Sequence, residues 1–204
     1  MDKIVIDKYE FNNVNNPISL SYISNSQISN NKLANDGVCV CISITNSLFV
    51  DVINNTILKG LHYGIHFSNT NNSVIRFNNL SFETLNTISN PTNVYGILVQ
   101  GNSNNVSIYS NNVSDFYESI VCSPSNDTRV YNNIVYDCRF GIKFFDAQNG
   151  CAYNNTVKNC YNVQSKSSGP GFCILNNVFN ITIENNNIFN NSRIGISIKN
   201  SSNI

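Results

Sequence analysis

A doubled asparagine returns along this chain at nearly regular intervals, and it restricts the possible folds more than any other feature. Most successive doublets are about 22 residues apart, and two intervals are about ten residues longer. A fixed period of this length is typical of solenoids, in which each repeat forms one winding of the chain. The doublets begin at Asn12, Asn30, Asn54, Asn78, Asn111, Asn132, Asn154 and Asn185.

A second marker, a small residue followed by an aliphatic one, keeps the same phase. In most repeats it precedes the next doublet by about 13 residues. Because two different markers hold one phase, the repeat predicts a structural unit and not a low-complexity tract. The marker occurs at Pro17-Ile18, Cys41-Ile42, Gly64-Ile65, Gly96-Ile97, Ser119-Ile120, Gly141-Ile142 and Gly195-Ile196.

One complete unit, residues 140–160, reads FGIKFFDAQNGCAYNNTVKNC. Alternating apolar residues in GIKFF predict a strand with one buried face, DAQNG is a turn cluster, and CAY and TVKNC flank the asparagine corner as further short strands. Three strands and three turns per repeat predict an all-β, single-stranded right-handed parallel β-helix of about eight coils of about 22 residues. We expect one domain over residues 1–204, with insertions near 80–93 and 161–173.

Other repeat folds fit the sequence less well. Leucine-rich repeats require leucine at most core positions, and the chain has only nine leucines. Left-handed hexapeptide coils would show a shorter aliphatic period, and the GGxGxD motif of calcium-binding repeats is absent.

The doublet has a mechanical reason in this fold. A sharp corner between strands needs a left-handed residue, which asparagine tolerates better than other residues with a side chain. Its amide can also donate to and accept from the equivalent amide one coil away, so that stacked coils form an asparagine ladder. We expect the ladder at Asn30, Asn54, Asn78, Asn111, Asn132, Asn154 and Asn185.

Charge and composition argue against several classes of function. Lys and Arg total 12, as do Asp and Glu, so the net charge is zero and nucleic acid is not an expected partner. No apolar run is long enough to span a membrane. With two histidines and no CxxC pair, we expect no metal site and no cofactor.

Seven cysteines are expected to be mostly buried thiols that pack as small apolar residues. Cys138 and Cys160 occupy matching positions in successive coils. Three interpretations of this pair remain open: an apolar ladder, a disulfide between coils, or copper-binding thiolates.

The segments YGIHFSN (63–69), YGILVQGN (95–102), FGIKFFDA (140–147) and RIGISIKN (193–200), with the asparagine doublets, resemble the right-handed parallel β-helix repeat family. That family includes pectin-lyase-like enzymes, copper-accessory repeats and adhesin-like surface proteins. The resemblance implies an extracellular or cell-surface location and a polysaccharide or cell-surface glycan as partner. It covers nearly the whole chain and says little about activity, because a fold does not fix a function.

In the first strand of each unit, the one that reads GIKFF in residues 141–145, alternate side chains point outward. The outward side chains that are our candidates for ligand binding are Gln100, Ser123, Lys143 and Phe145. The resemblance implies acidic residues, calcium and a basic residue for catalysis, and the nearby candidates are Asp115, Glu118, Asp137, Arg139, Lys143 and Asp146. An alternative is that they are solvated turn residues, with Glu118 and Arg139 as a surface ion pair. His62 and His66 are expected to have ordinary surface roles.

No catalytic set is complete, because the Gly-His-Gly and paired-aspartate motifs of polygalacturonases are missing. We therefore favour a non-catalytic, carbohydrate-contacting surface module of adhesin-like type. The alternatives are a polysaccharide lyase, hydrolase or epimerase acting on an acidic glycan, with calcium as the cofactor in the case of a lyase, and a structural spacer.

The sequence ends in RIGISIKNSSNI, part-way through a coil. An open coil exposes unpaired strand edges, so we expect a longer protein, or a neighbouring domain or subunit that covers this end. We also expect the two insertions to wall a shallow groove across the coils between them.

Overall fold

Three parallel β-sheets form the walls of the solenoid in a computed structural model that describes residues 3–35, 40–58, 62–82, 94–161, 169–192 and 194–204. Each winding contributes one strand to each sheet, and each strand pairs in register with its equivalents in the coils before and after it. Within these ranges each sheet has eight strands, and the chain makes about seven turns of about 23 residues. The predicted fold is confirmed.

The strands of each sheet are as follows. The first sheet contains β1 Val5–Asp7, β4 Ser24–Ser29, β7 Leu48–Ile53, β10 Ser73–Arg76, β14 Val106–Tyr109, β18 Arg129–Tyr131, β21 Cys151–Tyr153 and β24 Thr182–Glu184. The second contains β2 Glu10–Asn12, β5 Lys32–Ala34, β8 Thr56–Leu58, β11 Asn79–Ser81, β15 Asn112–Ser114, β19 Ile134–Tyr136, β22 Thr156–Lys158 and β25 Asn187–Phe189. The third contains β3 Ile18–Ser21, β6 Val40–Thr45, β9 Tyr63–Ser68, β12 Tyr95–Gln100, β16 Glu118–Cys122, β20 Phe140–Phe145, β23 Phe172–Phe179 and β26 Ile196–Ser202. A short pair, β13 Ser103–Asn104 and β17 Ser125–Asn126, bridges two turns.

The interior is one continuous apolar core, because alternate residues of every strand point inward. The predicted inward positions on both sides of the asparagine corner are buried: Ile28, Val52, Val130 and Ala152 before it, and Leu33, Ile57, Val135 and Val157 after it. In the third sheet the inward residues include two phenylalanines, Phe67 and Phe144. In the last described coil, Ile183 and Ile188 are only partly buried.

A buried asparagine ladder runs through the corner between the first two sheets. At its centre, Asn133 donates from Nδ2 to Oδ1 of Asn155 at 3.0 Å and to the carbonyl of Ile108 at 2.9 Å. Its own Oδ1 accepts from the backbone N–H and from Nδ2 of Asn111, both at 3.0 Å. The same pattern links Asn31, Asn55, Asn78, Asn111, Asn133, Asn155 and Asn186.

The ladder is confirmed, but most of its predicted members are wrong by one position. Asn78 and Asn111 belong to it; Asn30, Asn54, Asn132, Asn154 and Asn185 do not. These five residues are the corner itself, with left-handed φ between 53° and 56° and exposed side chains. The corner residue directs its side chain outward, so the residue after it points inward. Phe77 and Ser110 hold the left-handed position before Asn78 and Asn111.

The small residue of the second marker is explained by the close approach of successive coils. A Cβ atom added at Gly96 would lie 2.6 Å from the carbonyl oxygen of Ser119 and 2.6 Å from Cγ1 of Val113. Gly64 faces the carbonyl oxygen of Gly96 in the same way. A large side chain there would push two coils apart.

The two predicted insertions fall within the two longest steps of the ladder. Asn78 and Asn111 are 33 residues apart, and Asn155 and Asn186 are 31 apart, whereas the other steps span 22 to 24 residues. Residues 83–93 and 162–168 lie outside the described residues, and so does the predicted groove wall.

Among the described residues, β26 is the last strand of the third sheet and pairs with β23 alone. Coverage of this edge by another domain or subunit stays a prediction. No helix in the described ranges is long and apolar enough to cross a membrane.

Candidate functional site

The outward face of the third sheet carries a grid of side chains, because successive strands stack in register. Rows follow the solenoid axis. The first and second rows are three residues apart along each strand, because two buried residues lie between them, and the second and third rows are two residues apart. From β9 to β20 the paired rows are Tyr63, Tyr95, Glu118 and Phe140, and then His66, Leu98, Val121 and Lys143. Ser68 pairs with Gln100 in a third row, and Ser123, which directly follows β16, and Phe145 continue that row one residue beyond the paired Cys122 and Phe144.

Two stacked tyrosines form an aromatic wall at one end of this grid. The rings of Tyr63 and Tyr95 lie 5.3 Å apart, with 3° between their planes, and the His66 ring stacks on Tyr63 at 5.2 Å. Burial is the main cause that raises the pKa of Tyr95 to about 12, and the carboxylate of Glu118 adds to it. The hydroxyl of Tyr95 is therefore protonated at any physiological pH.

His66 is held as a neutral hydrogen-bond acceptor. Its Nε2 lies 2.9 Å from Nε2 of Gln100, and an amide nitrogen can only donate, so the imidazole nitrogen accepts. Burial lowers the pKa of His66 below its ordinary value, which favours the same neutral form.

An ion pair between two coils occupies the centre of the grid. The Nζ of Lys143 lies 3.0 Å from Oε1 and 3.2 Å from Oε2 of Glu118. Only 18% of the Lys143 side chain and 11% of the Glu118 side chain are exposed. The ammonium group also lies 5.5 Å from the ring centre of Phe145.

These groups enclose a shallow cleft of about 390 Å³. Leu98 and Val121 form its apolar floor, and both are almost fully buried. Gln100, Ser123 and Phe145 border the side opposite the tyrosines. Aromatic rings, an apolar floor and a few polar groups are the usual composition of a small-ligand site.

The structure brings all four predicted ligand-binding residues, Gln100, Ser123, Lys143 and Phe145, into the lining of this one cleft. Ligand binding itself stays a prediction. Of the predicted catalytic candidates, Glu118 and Lys143 line the cleft and face each other. The expected ion pair between Glu118 and Arg139 is wrong: Glu118 lies in strand β16 and pairs with Lys143.

The remaining candidates lie outside the cleft lining. Asp115, Asp137 and Asp146 are left-handed corner residues, with φ of 65°, 52° and 50°. Their carboxylates accept hydrogen bonds from the next or preceding coil, as Asp137 does from Nδ2 of Asn159 at 3.0 Å. Arg139 lies 4.4 Å from the ring centre of Tyr117. These four side chains stabilise corners and edges of the solenoid.

Tyr63, Tyr95 and His66 were not singled out as ligand-binding candidates from the sequence. Each tyrosine directly precedes a small-aliphatic marker, at Gly64-Ile65 and Gly96-Ile97, and that marker was interpreted only as a fold signal. Alignment of the two repeats would have stacked the tyrosines. No group of three or more potential metal-ligating side chains occurs in the part of the chain that the structure describes.

Residues 42–204, more than half of the chain, match the family described as right-handed β-helix region. The chain belongs to this right-handed β-helix family. A comparison of this β-helix with curated proteins gives no match.

Two solved structures are similar to this β-helix in outline. One is the A-module of the mannuronan C-5 epimerase AlgE4 from Azotobacter vinelandii, with a TM-score of 0.39 and 10% identity over 88% of this chain and 64% of the module. The chain thus covers less than two thirds of that module. The other is QnrB1, a plasmid-mediated fluoroquinolone resistance protein, with a TM-score of 0.31 and 8% identity over 90% of this chain and 93% of that one. At these values neither likeness bears on function.

Proposed function

We propose that this protein is a non-catalytic, carbohydrate-contacting β-helix module of the adhesin-like, cell-surface type, and that the cleft on the third sheet is its glycan site. The observation that carries the proposal is the alignment of aromatic and hydrogen-bonding groups in one cleft that runs along the solenoid axis. Tyr63 and Tyr95 supply stacked aromatic rings, while Gln100 and Ser123 supply polar groups across the floor.

The chemistry of the cleft suits a sugar. A pyranose ring has an apolar C–H face that packs on aromatic rings, and hydroxyls that exchange hydrogen bonds with amide, hydroxyl and carboxylate groups. Successive coils repeat every ~4.8 Å. An extended oligosaccharide that lies along the axis therefore follows the rows and meets a new set of register-matched side chains at each coil.

A glycan array followed by calorimetric titration of the oligosaccharides that bind tests the proposal. Phe145→Ala and Gln100→Ala should each weaken binding about tenfold or more, because each removes a contact in the cleft. The matched control is Tyr131→Ala, which removes an outward aromatic ring from the first sheet, where Tyr131 stacks on Tyr153 at 4.9 Å. Equal loss in the control, or no oligosaccharide bound, would refute the proposal and leave a structural spacer as the better interpretation.

A second candidate function, acid–base chemistry on a glycan, is favoured by one observation. Four side chains of types that can serve as general acids or bases, His66, Tyr95, Glu118 and Lys143, lie on four successive strands of the third sheet. Release of unsaturated uronates, new reducing ends or epimerised residues from a panel of polysaccharides, with and without calcium, would support a lyase, hydrolase or epimerase. Binding without turnover supports the non-catalytic module.

A further inference from the structure

We propose that the cleft selects neutral glycans and rejects those that carry carboxylates, an inference that rests on the proposed carbohydrate-binding function. Its basis is the charge of the cleft. Among the described residues that line it, Glu118 and Lys143 are the only charged side chains, and each neutralises the other.

The positive charge of Lys143 is already satisfied. Its Nζ binds both carboxylate oxygens of Glu118 and lies over the rings of Phe140 and Phe145, at 5.8 Å and 5.5 Å from their centres. Both partners are largely withdrawn from water, so the pair is weakly screened and hard to separate.

A sugar carboxylate would meet one of two unfavourable arrangements in this cleft. If it captured Lys143, Glu118 would keep a poorly hydrated charge without its partner. If it left the ion pair intact, it would lie against the like charge of Glu118.

Two other described cations, Arg139 beside strand β20 and Lys199 in β26, do not offer an alternative partner. Arg139 lies between the rings of Tyr117 and Phe140, at 4.4 Å and 5.2 Å from their centres, outside the cleft lining. Lys199 lies two strands beyond Phe145 in the same row, with Leu175 between them.

A neutral sugar meets no such conflict. Its hydroxyls can donate to Glu118 and accept from the remaining N–H of Lys143 without disturbing the pair. Its C–H faces can pack on the tyrosine wall and on the apolar floor.

The test uses oligosaccharides of equal length in matched pairs that differ only at C6: glucose against glucuronate, galactose against galacturonate, and mannose against mannuronate chains. In the pair that matches the stereochemistry of the cleft, the neutral member should bind about tenfold or more tightly than the uronate. Its affinity should change less than about twofold between roughly 0.05 M and 0.5 M NaCl.

The variant Glu118→Gln frees the charge of Lys143 with almost no change in shape. The ratio of neutral to uronate affinity should then fall about tenfold or more. Tighter uronate binding by the unmodified protein overturns the inference, as does an unchanged ratio in a folded Glu118→Gln protein. If that variant does not fold, the affinities of the unmodified protein for the three matched pairs of oligosaccharides test the inference by themselves. If no oligosaccharide of either kind binds, it is the proposed function that fails.

A separate observation supports a second inference, that Cys138 and Cys160 form a disulfide between successive coils when the chain folds under oxidising conditions. Their Sγ atoms lie 2.6 Å apart, in a site where 1% or less of either residue is exposed. That separation is only about 0.6 Å longer than an S–S bond. Strands β19 and β22, which precede the two cysteines, are paired in register, and the spacing of paired strands lies within the Cα separations that disulfides span.

The chemistry balances with a disulfide oxidant such as oxidised glutathione. Two S–H bonds break and one S–S bond forms, while two electrons and two protons reduce the oxidant to two thiols. The attack passes through a mixed disulfide, so it takes place before the pair is buried, during folding.

Refolding with and without oxidised glutathione, followed by tryptic digestion without reduction, tests this inference. The oxidised sample should contain residues 130–139 linked to residues 159–166, and should titrate two fewer than its seven thiols after denaturation. Cys160→Ser should lose the linked peptides, and Cys122→Ser, which removes a different buried thiol, should keep them. Seven free thiols after oxidative refolding, or linkage of Cys138 to another cysteine, would overturn it.

Discussion

Replacement of Asn133 by alanine should destabilise the solenoid far more than a change at its neighbour Asn132. The Asn133 side chain takes part in five hydrogen bonds, with Asn111, Asn155 and the carbonyls of Ile108 and Tyr131. Alanine leaves the backbone N–H and one Nδ2 hydrogen of Asn111 without a partner in the core. At about 1–3 kcal/mol for each buried unsatisfied donor, the free energy of unfolding should fall by about 2–6 kcal/mol.

The matched control is Asn132→Gly, in the same doublet. Asn132 is exposed and left-handed, with φ of 55°, a conformation that glycine adopts without strain. Its replacement should therefore change the free energy of unfolding by no more than about 0.5 kcal/mol.

Urea unfolding followed by far-UV circular dichroism and by tyrosine fluorescence measures both changes, since the chain has ten tyrosines and no tryptophan. Coincidence of the two transitions must be checked, because stacked repeats can unfold in parts. Amide hydrogen exchange at Asn111 gives a local measure, and its protection should fall in Asn133→Ala. A loss in Asn133→Ala no greater than in Asn132→Gly would refute the claim that the ladder stabilises the fold.

Three further predictions concern packing and protonation. Gly96→Ala should lower the free energy of unfolding by about 1–3 kcal/mol, because the added Cβ would clash with the carbonyl oxygen of Ser119. The control is Gly195→Ala, whose added Cβ would have its nearest contact at 3.8 Å. It should leave the free energy of unfolding nearly unchanged in the same urea denaturation assay. Phe144→Ala should cost about 3–5 kcal/mol, and Phe145→Ala, on the opposite face, clearly less; equal costs would contradict the register. Because the folded pKa of His66 is lowered, the unfolded chain binds its proton first, so Tm should fall as the pH drops below 6.5. His66→Gln should remove that part of the slope, and identical slopes would contradict this account.

Local chemistry made most of the fold predictable. The asparagine doublet and the small-aliphatic marker repeat in one phase, and the period-two pattern of segments such as GIKFF separates core from surface without reference to the rest of the chain. The outward positions Gln100, Ser123, Lys143 and Phe145 followed from the same alternation, which is why the cleft contains all four.

Which side chains pair with each other was harder to predict from the sequence. Glu118 was expected to pair with Arg139, because the chain places both near a turn. The structure instead places Lys143 across the coil boundary, where its Nζ reaches both carboxylate oxygens while Arg139 packs on Tyr117. A side chain in a solenoid has neighbours about one coil away in sequence. Which of them it contacts depends on its rotamer and its length as well as on the register of the strands.

The sequence by itself determined the period of the winding, the position of the asparagine corner to within one residue from Asn30 onward, and which side chains face in or out, because all three follow from backbone preferences and local alternation. The first doublet, at Asn12, lies at the end of β2, and Lys8 holds the equivalent corner in that coil. Only the tertiary structure decided which asparagine of each doublet enters the ladder. It also decided that Tyr63 stacks on Tyr95 and that Lys143 neutralises Glu118. Those outcomes depend on contacts between coils, where a one-residue difference in register exchanges a buried amide for an exposed one.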